Sequence, residues 1–121
     1  CEVVIFDFRD QMNYSGVRSR RWTLAFDKAR IDVWFKTVRG KVTEFAITLS
    51  SVQGAEVQPV IRYDTAHGIV HRHTFWGSRE RIKDDPFGVS DPTTCFRLAY
   101  QDVMDNFDRY LERFEQERRE R

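Results

Sequence analysis

The segment ARIDVWFKTVRGKVTEFAITLSS, residues 29–51, constrains the fold more than any other part of the chain. Two runs rich in β-branched and aromatic residues meet at Arg39-Gly40-Lys41, the signature of a hairpin. Pairing Val38 with Val42 leaves a three-residue loop and sets Phe35 opposite Phe45, Val33 opposite Ile47 and Ile31 opposite Leu49. Lys36 then meets Glu44 on the other face, so apolar and charged pairs agree. A two-residue loop would set Phe35 opposite Glu44 and turn one strand's apolar side outward. The three-residue loop is therefore the predicted register.

The hairpin extends on both sides. CEVVIFDFRD alternates weakly and reads as a strand, QMNYSGVRSRR as a loop, and WTLAFD as an ambiguous short strand. VQGAE turns the chain into VQPVIRYD, where Pro59 lacks an N–H and demands an edge or a bulge. TAHG is a second turn and IVHRHTFW the returning strand. GSRERIKDDPFGVSDP, rich in breakers, reads as a loop of about 16 residues. Asp91-Pro92 then supplies an N-cap and a proline at the first helical position. Phe96, Ala99, Tyr100, Val103, Phe107, Tyr110, Leu111 and Phe114 follow at helical spacing. The expected fold is α+β: an antiparallel meander of four to five strands packed against one long C-terminal helix. One domain spans 1–121, with the sheet over about 3–76, a loop over 77–91 and the helix over about 92–118. The helix covers the Phe45/Ile47 side.

Composition narrows the class. Charged residues make up 32% and hydrophobic ones 40%, enough apolar material for a modest core. There is no run of 18 apolar residues, so no transmembrane helix is expected. Cys1 and Cys95 do not form a disulfide framework, and the cytoplasm is the expected location. The absence of an initial Met implies trimming or processing. Cys1 would suit a lipoprotein, but CEVVIFDF enters apolar alternation without a polar tether. Charge is unevenly spread: residues 1–83 carry +5 (14 Lys and Arg against 9 Asp and Glu), and residues 84–121 carry −4 (6 against 10). A basic first part suits an anionic ligand; an ordinary solvated surface is the plain alternative.

All three histidines of the chain, His67, His71 and His73, fall within RYDTAHGIVHRHTFW, residues 62–76. Taking Asp64 and Ile69 as the last pair before the turn puts Arg62 opposite His71 and Val60 opposite His73. Strand alternation then gathers Arg62, Asp64, His71 and His73 on the face away from the helix, with His67 on the turn. Val70, Arg72 and Thr74 point to the other face. This set suits acid–base catalysis at a phosphate: two imidazoles exchange protons, Arg62 holds the anion and Asp64 fixes a tautomer. It also suits a metal, with His67, His71 and His73, or Asp64, as ligands for zinc or another divalent ion. H-x-H alone is a weak signal, and three solvated surface histidines beside an Arg62–Asp64 ion pair are the bland alternative.

RYDTAHG followed by HRH resembles small prokaryotic proteins that carry RYD-x-AHG-x-xHR, and is similar to the TumE-type toxins of toxin–antitoxin pairs, which carry RYDN…H…H-x-H. The likeness is tightest over residues 62–73. Thr65 stands where TumE-like proteins often have Asn, and the first 30 residues have no counterpart. The resemblance implies a toxin with ribonuclease-like activity, a cognate antitoxin protein as partner, and Arg62, Asp64, His67, His71 and His73 as motif positions. The resulting expectation is a metal-independent ribonuclease with His71 and His73 as acid and base, no cofactor, no membrane, and RNA or a second copy of the chain as further partners. The alternatives are a non-enzymatic binding module of a phage or defence system, and a His-ligated metal enzyme.

Overall fold

The computed structural model describes the backbone of residues 4–12, 16–66 and 68–119 and the side chains of residues 16–65 and 68–119. Among the described residues seven strands form one antiparallel sheet in sequential order: β1 (Val4–Met12), β2 (Val17–Ala25), β3 (Ala29–Val38), β4 (Lys41–Gln53), β5 (Glu56–Ala66), β6 (Ile69–Thr74) and β7 (Arg81–Asp84). One helix, α1 (Pro92–Arg119), lies over β4 and β5. The α+β meander and the long helix are as predicted; the sheet is wider.

Two of the extra strand segments sit where loops are predicted. β2 begins at Val17 rather than at Trp22, and pairs along its whole length with β3. Its first half, Val17–Arg21, is too rich in arginine to alternate visibly, but hydrogen bonding to neighbours on both sides holds it extended. β7 occupies Arg81–Asp84 inside the predicted 77–91 loop. All four of its residues are exposed, so hydrophobic periodicity could not mark it.

The central hairpin keeps the predicted core pairs and changes the turn. Phe35–Phe45, Val33–Ile47, Ile31–Leu49 and Lys36–Glu44 are all cross-strand partners. However, Val38 pairs with Lys41, leaving the two-residue turn Arg39-Gly40. Both residues take positive φ, 52° and 81°, the backbone whose twist matches the flanking strands. A register shift between Lys36 and Thr37 leaves Thr43 unpaired as a bulge, which reconciles the tight turn with the apolar register. The bulge expected near Pro59 also forms: pairing shifts between Leu49–Ile61 and Ser50–Pro59, leaving Val60 as the extra residue.

α1 begins on the predicted cap. Asp91 accepts hydrogen bonds from the backbone N–H groups of Thr93 and Thr94, each at 3.3 Å, and from the Thr94 hydroxyl at 2.7 Å. The helix buries Cys95, Ala99, Val103 and Phe114 against Ile31, Val33, Phe45, Ile47, Leu49 and Ile61 of the sheet. Phe96 packs on Phe45 and Phe35 with ring centroids 5.4 and 4.9 Å away, and Phe107 on Phe26 at 4.6 Å. Tyr63 is buried under the helix, and its hydroxyl donates to Asp102 at 2.6 Å.

Candidate functional site

Antiparallel register aligns side chains that point to the same face into rows across the sheet. On the face opposite α1, one row reads Arg21, Trp34, Ala46, Asp64, His71, Asp84. The next reads Thr23, Asp32, Thr48, Arg62, His73, Ile82. Arg62, Asp64, His71 and His73 therefore share the face away from the helix, as predicted.

The predicted pairing within that set is corrected. Asp64, not Arg62, lies opposite His71, and Arg62, not Val60, lies opposite His73. The ladder runs on to Ala66–Ile69, with Gly68 at a φ of 79° permitting the tight return. This shifts the register by two residues, and an even shift keeps every side chain on its face. His67 lies outside the described residues.

The His71 and His73 imidazoles are held by carboxylates. His71 Nδ1 is 2.7 Å from Asp84 Oδ1. An ionised carboxylate only accepts, so Nδ1 carries the hydrogen, and in the neutral ring the lone pair falls on Nε2. His73 faces a carboxylate on each side, with Nδ1 2.8 Å from Glu80 and Nε2 3.3 Å from Asp64. Both bonds form together only when both nitrogens carry hydrogen. Asp64 is shared, because its second oxygen takes the Arg62 Nε–H at 2.9 Å. The two rings lie 6.3 Å apart, and Phe75 stacks on His73 at 6.4 Å. The His71, His73 and Asp64 side chains are 19%, 18% and 14% exposed, and Arg62 is 47% exposed, so the cation reaches solvent from a mostly enclosed base.

Glu80 and Asp84 are absent from the sequence reading. β7 brings Asp84 to His71, and the stretch just before it brings Glu80 to His73. The available signal was GSRERIKDD, a charged run around a single Ile82 next to a histidine strand. A groove of about 420 Å³ continues from Arg62 and Asp64 along the same face, with Ala46 and Thr48 as its floor and Arg21 and Trp34 beyond. Short side chains in the centre of both rows create this depression. Among the described residues no group of three or more His, Cys, Asp or Glu side chains is arranged to hold a metal ion.

Together these features define a class: an α+β protein whose sheet is covered by a helix on one face and bears a histidine–carboxylate–arginine cluster on the other. The chain belongs to the family described as a domain of unknown function, DUF7718, which matches residues 17–120. No curated protein matches the chain, and no solved structure does.

Proposed function

We propose that the protein is a metal-independent ribonuclease acting as the TumE-like toxin of a toxin–antitoxin pair. The observation that carries this reading is the side-by-side placement of His71 and His73 in unlike hydrogen-bond settings, with Arg62 next to them. His71, its Nδ1–H fixed by Asp84, presents Nε2 as the base that takes the proton of an RNA 2′-hydroxyl. The 2′-oxygen attacks phosphorus, and the bond from phosphorus to the 5′-oxygen breaks. His73, hydrogen-bonded through both nitrogens, supplies the proton to the leaving 5′-oxygen. The products are a 2′,3′-cyclic phosphate and a 5′-hydroxyl. Arg62 neutralises the non-bridging oxygens, while Asp64 positions both Arg62 and His73. Trp34 and Arg21 suit the neighbouring nucleotides along the groove.

Purified protein is assayed on RNA with and without EDTA, beside His71→Ala and His73→Ala. Loss of cleavage in both variants and retention in EDTA are expected. Unchanged cleavage in both variants removes the catalytic assignment, and loss in EDTA favours a metal held by His67, His71 and His73. The toxin role predicts growth arrest on expression, relieved by a cognate antitoxin from the neighbouring gene. No helix among the described residues is long and apolar enough to cross a membrane.

A second reading, a non-enzymatic RNA-binding module, is favoured by the engagement of both His73 nitrogens. It predicts RNA binding that survives in His71→Ala without any cleavage by the parent protein.

A further inference from the structure

The helix side of the β6–β7 edge carries a different charge pattern. Arg72 lies directly opposite Lys83, and Thr74 opposite Arg81. Like charges placed opposite each other destabilise a strand pair. α1 lies over β4 and β5 and leaves this corner open, apart from Arg113, whose guanidinium sits 4.9 Å from the Trp76 ring. The result is a groove of about 300 Å³ lined by four cations, Arg72, Arg81, Lys83 and Arg113, with Thr74, Trp76 and Ile82. No carboxylate stands among these lining residues. Arg72 lies opposite Tyr63 of β5, and its Nε is buried with no hydrogen-bond partner among the described residues.

We propose that this groove binds the backbone phosphates of single-stranded RNA. A cross-strand pair of cations with a buried, unsatisfied guanidinium N–H is relieved by an oxyanion, and the guanidinium fork matches phosphate oxygens in pairs. Trp76 is occupied by the stacked Tyr110 ring at 5.6 Å and by Arg113, so contact is with phosphate rather than with bases and carries no sequence preference. β7 is the edge strand, so a single strand folding round it meets Arg81 and Lys83 on one side and the histidines on the other. The choice of RNA rests on the ribonuclease reading; the anion site itself does not.

Binding is therefore measured with a 2′-O-methyl oligonucleotide, which cannot be cleaved, by fluorescence anisotropy over a series of salt concentrations. Arg81→Gln/Lys83→Gln replaces two exposed side chains and is expected to bind about tenfold more weakly. Its salt slope should be shallower by about 1.4, since each single-strand phosphate contact contributes about 0.7. Lys83→Gln alone should melt no lower than the parent, because it removes the repulsion with Arg72. Unchanged affinity and slope in the double variant overturn the proposal, as does a polyglutamate peptide binding in preference to the oligonucleotide, which would make the groove a docking site for an acidic protein. If the oligonucleotide binds through Arg81 and Lys83 while natural RNA stays intact, the groove stands and the ribonuclease reading falls.

Discussion

Two regions of the sheet handle charge in opposite ways: the middle of the open face and the β6–β7 margin of the helix face. In the middle of the open face charges meet partners: Arg30 with Asp32, Lys36 with Glu44, Arg62 with Asp64, and His71 and His73 with carboxylates. On the helix face the centre is apolar and charges lie at its margins: Arg20 sits beside Trp22 on β2, and at the β6–β7 edge Arg72 and Lys83 face each other. Alternation along one short strand separates these environments: His71 and His73 point one way, Arg72 and Thr74 the other. Paired charges fix side chains and cancel much of their field at a distance. Like charges side by side keep their field and wait for a counterion.

The contrast can be broken by mutation. The largest effect is expected on the open face, where His71→Ala should lower RNA cleavage by about 10²–10⁴-fold with the fold intact by circular dichroism. A variant that loses its structure instead would make His71 a member of the scaffold. Under the helix, Phe45→Ala should cost about 3–5 kcal/mol in denaturant unfolding, since its ring is fully buried between sheet and helix. A cost below about 1 kcal/mol would mean that this face is not the core. Trp34→Ala should weaken oligonucleotide binding by about 1–3 kcal/mol if its ring stacks a base, and leave it unchanged if the groove carries no nucleotide.

A smaller difference is expected in alkaline solution. Burial, reinforced by the hydrogen bond to Asp102, raises the Tyr63 hydroxyl well above the usual phenol range and pushes Tyr110 up to about 12. The folded state thus holds these protons more tightly than the unfolded chain does. The stability this contributes is fully present below about pH 10 and is lost as pH rises from there through the folded values. Tyr63→Phe/Tyr110→Phe should flatten that loss in unfolding measurements between about pH 9 and about pH 12, and an unaltered slope would assign the loss to other groups. The smallest effect belongs to Glu44→Ala. The 3.6 Å Lys36–Glu44 pair is well exposed on both sides, so its removal should change stability by about 0–1 kcal/mol.

The sequence disclosed whatever repeats with a period. The apolar pairs from Ile31–Leu49 to Phe35–Phe45 and the shared face of Arg62, Asp64, His71 and His73 follow from alternation, and the helix cap at Asp91 from its place just before Pro92. Parity proved sturdier than register: the β5–β6 pairing moved by two residues and the constellation survived. What stayed hidden was β7 and the arginine-rich start of β2. These segments are strands because a neighbour offers hydrogen bonds, not because a core attracts their side chains. Glu80 and Asp84 were hidden with them, since their role depends on β7 folding back beside β6.

The strictly sequential strand order has a consequence for how the chain assembles. Each strand can dock on the one before it as soon as it leaves the ribosome, so the sheet grows by short-range steps. The helix that shields Ile31, Phe45, Ile47 and Leu49 follows all seven strands. Until Pro92–Arg119 emerges, a nearly complete sheet displays a bare oily surface. That interval is when the nascent protein is most exposed to aggregation and has most use for a chaperone.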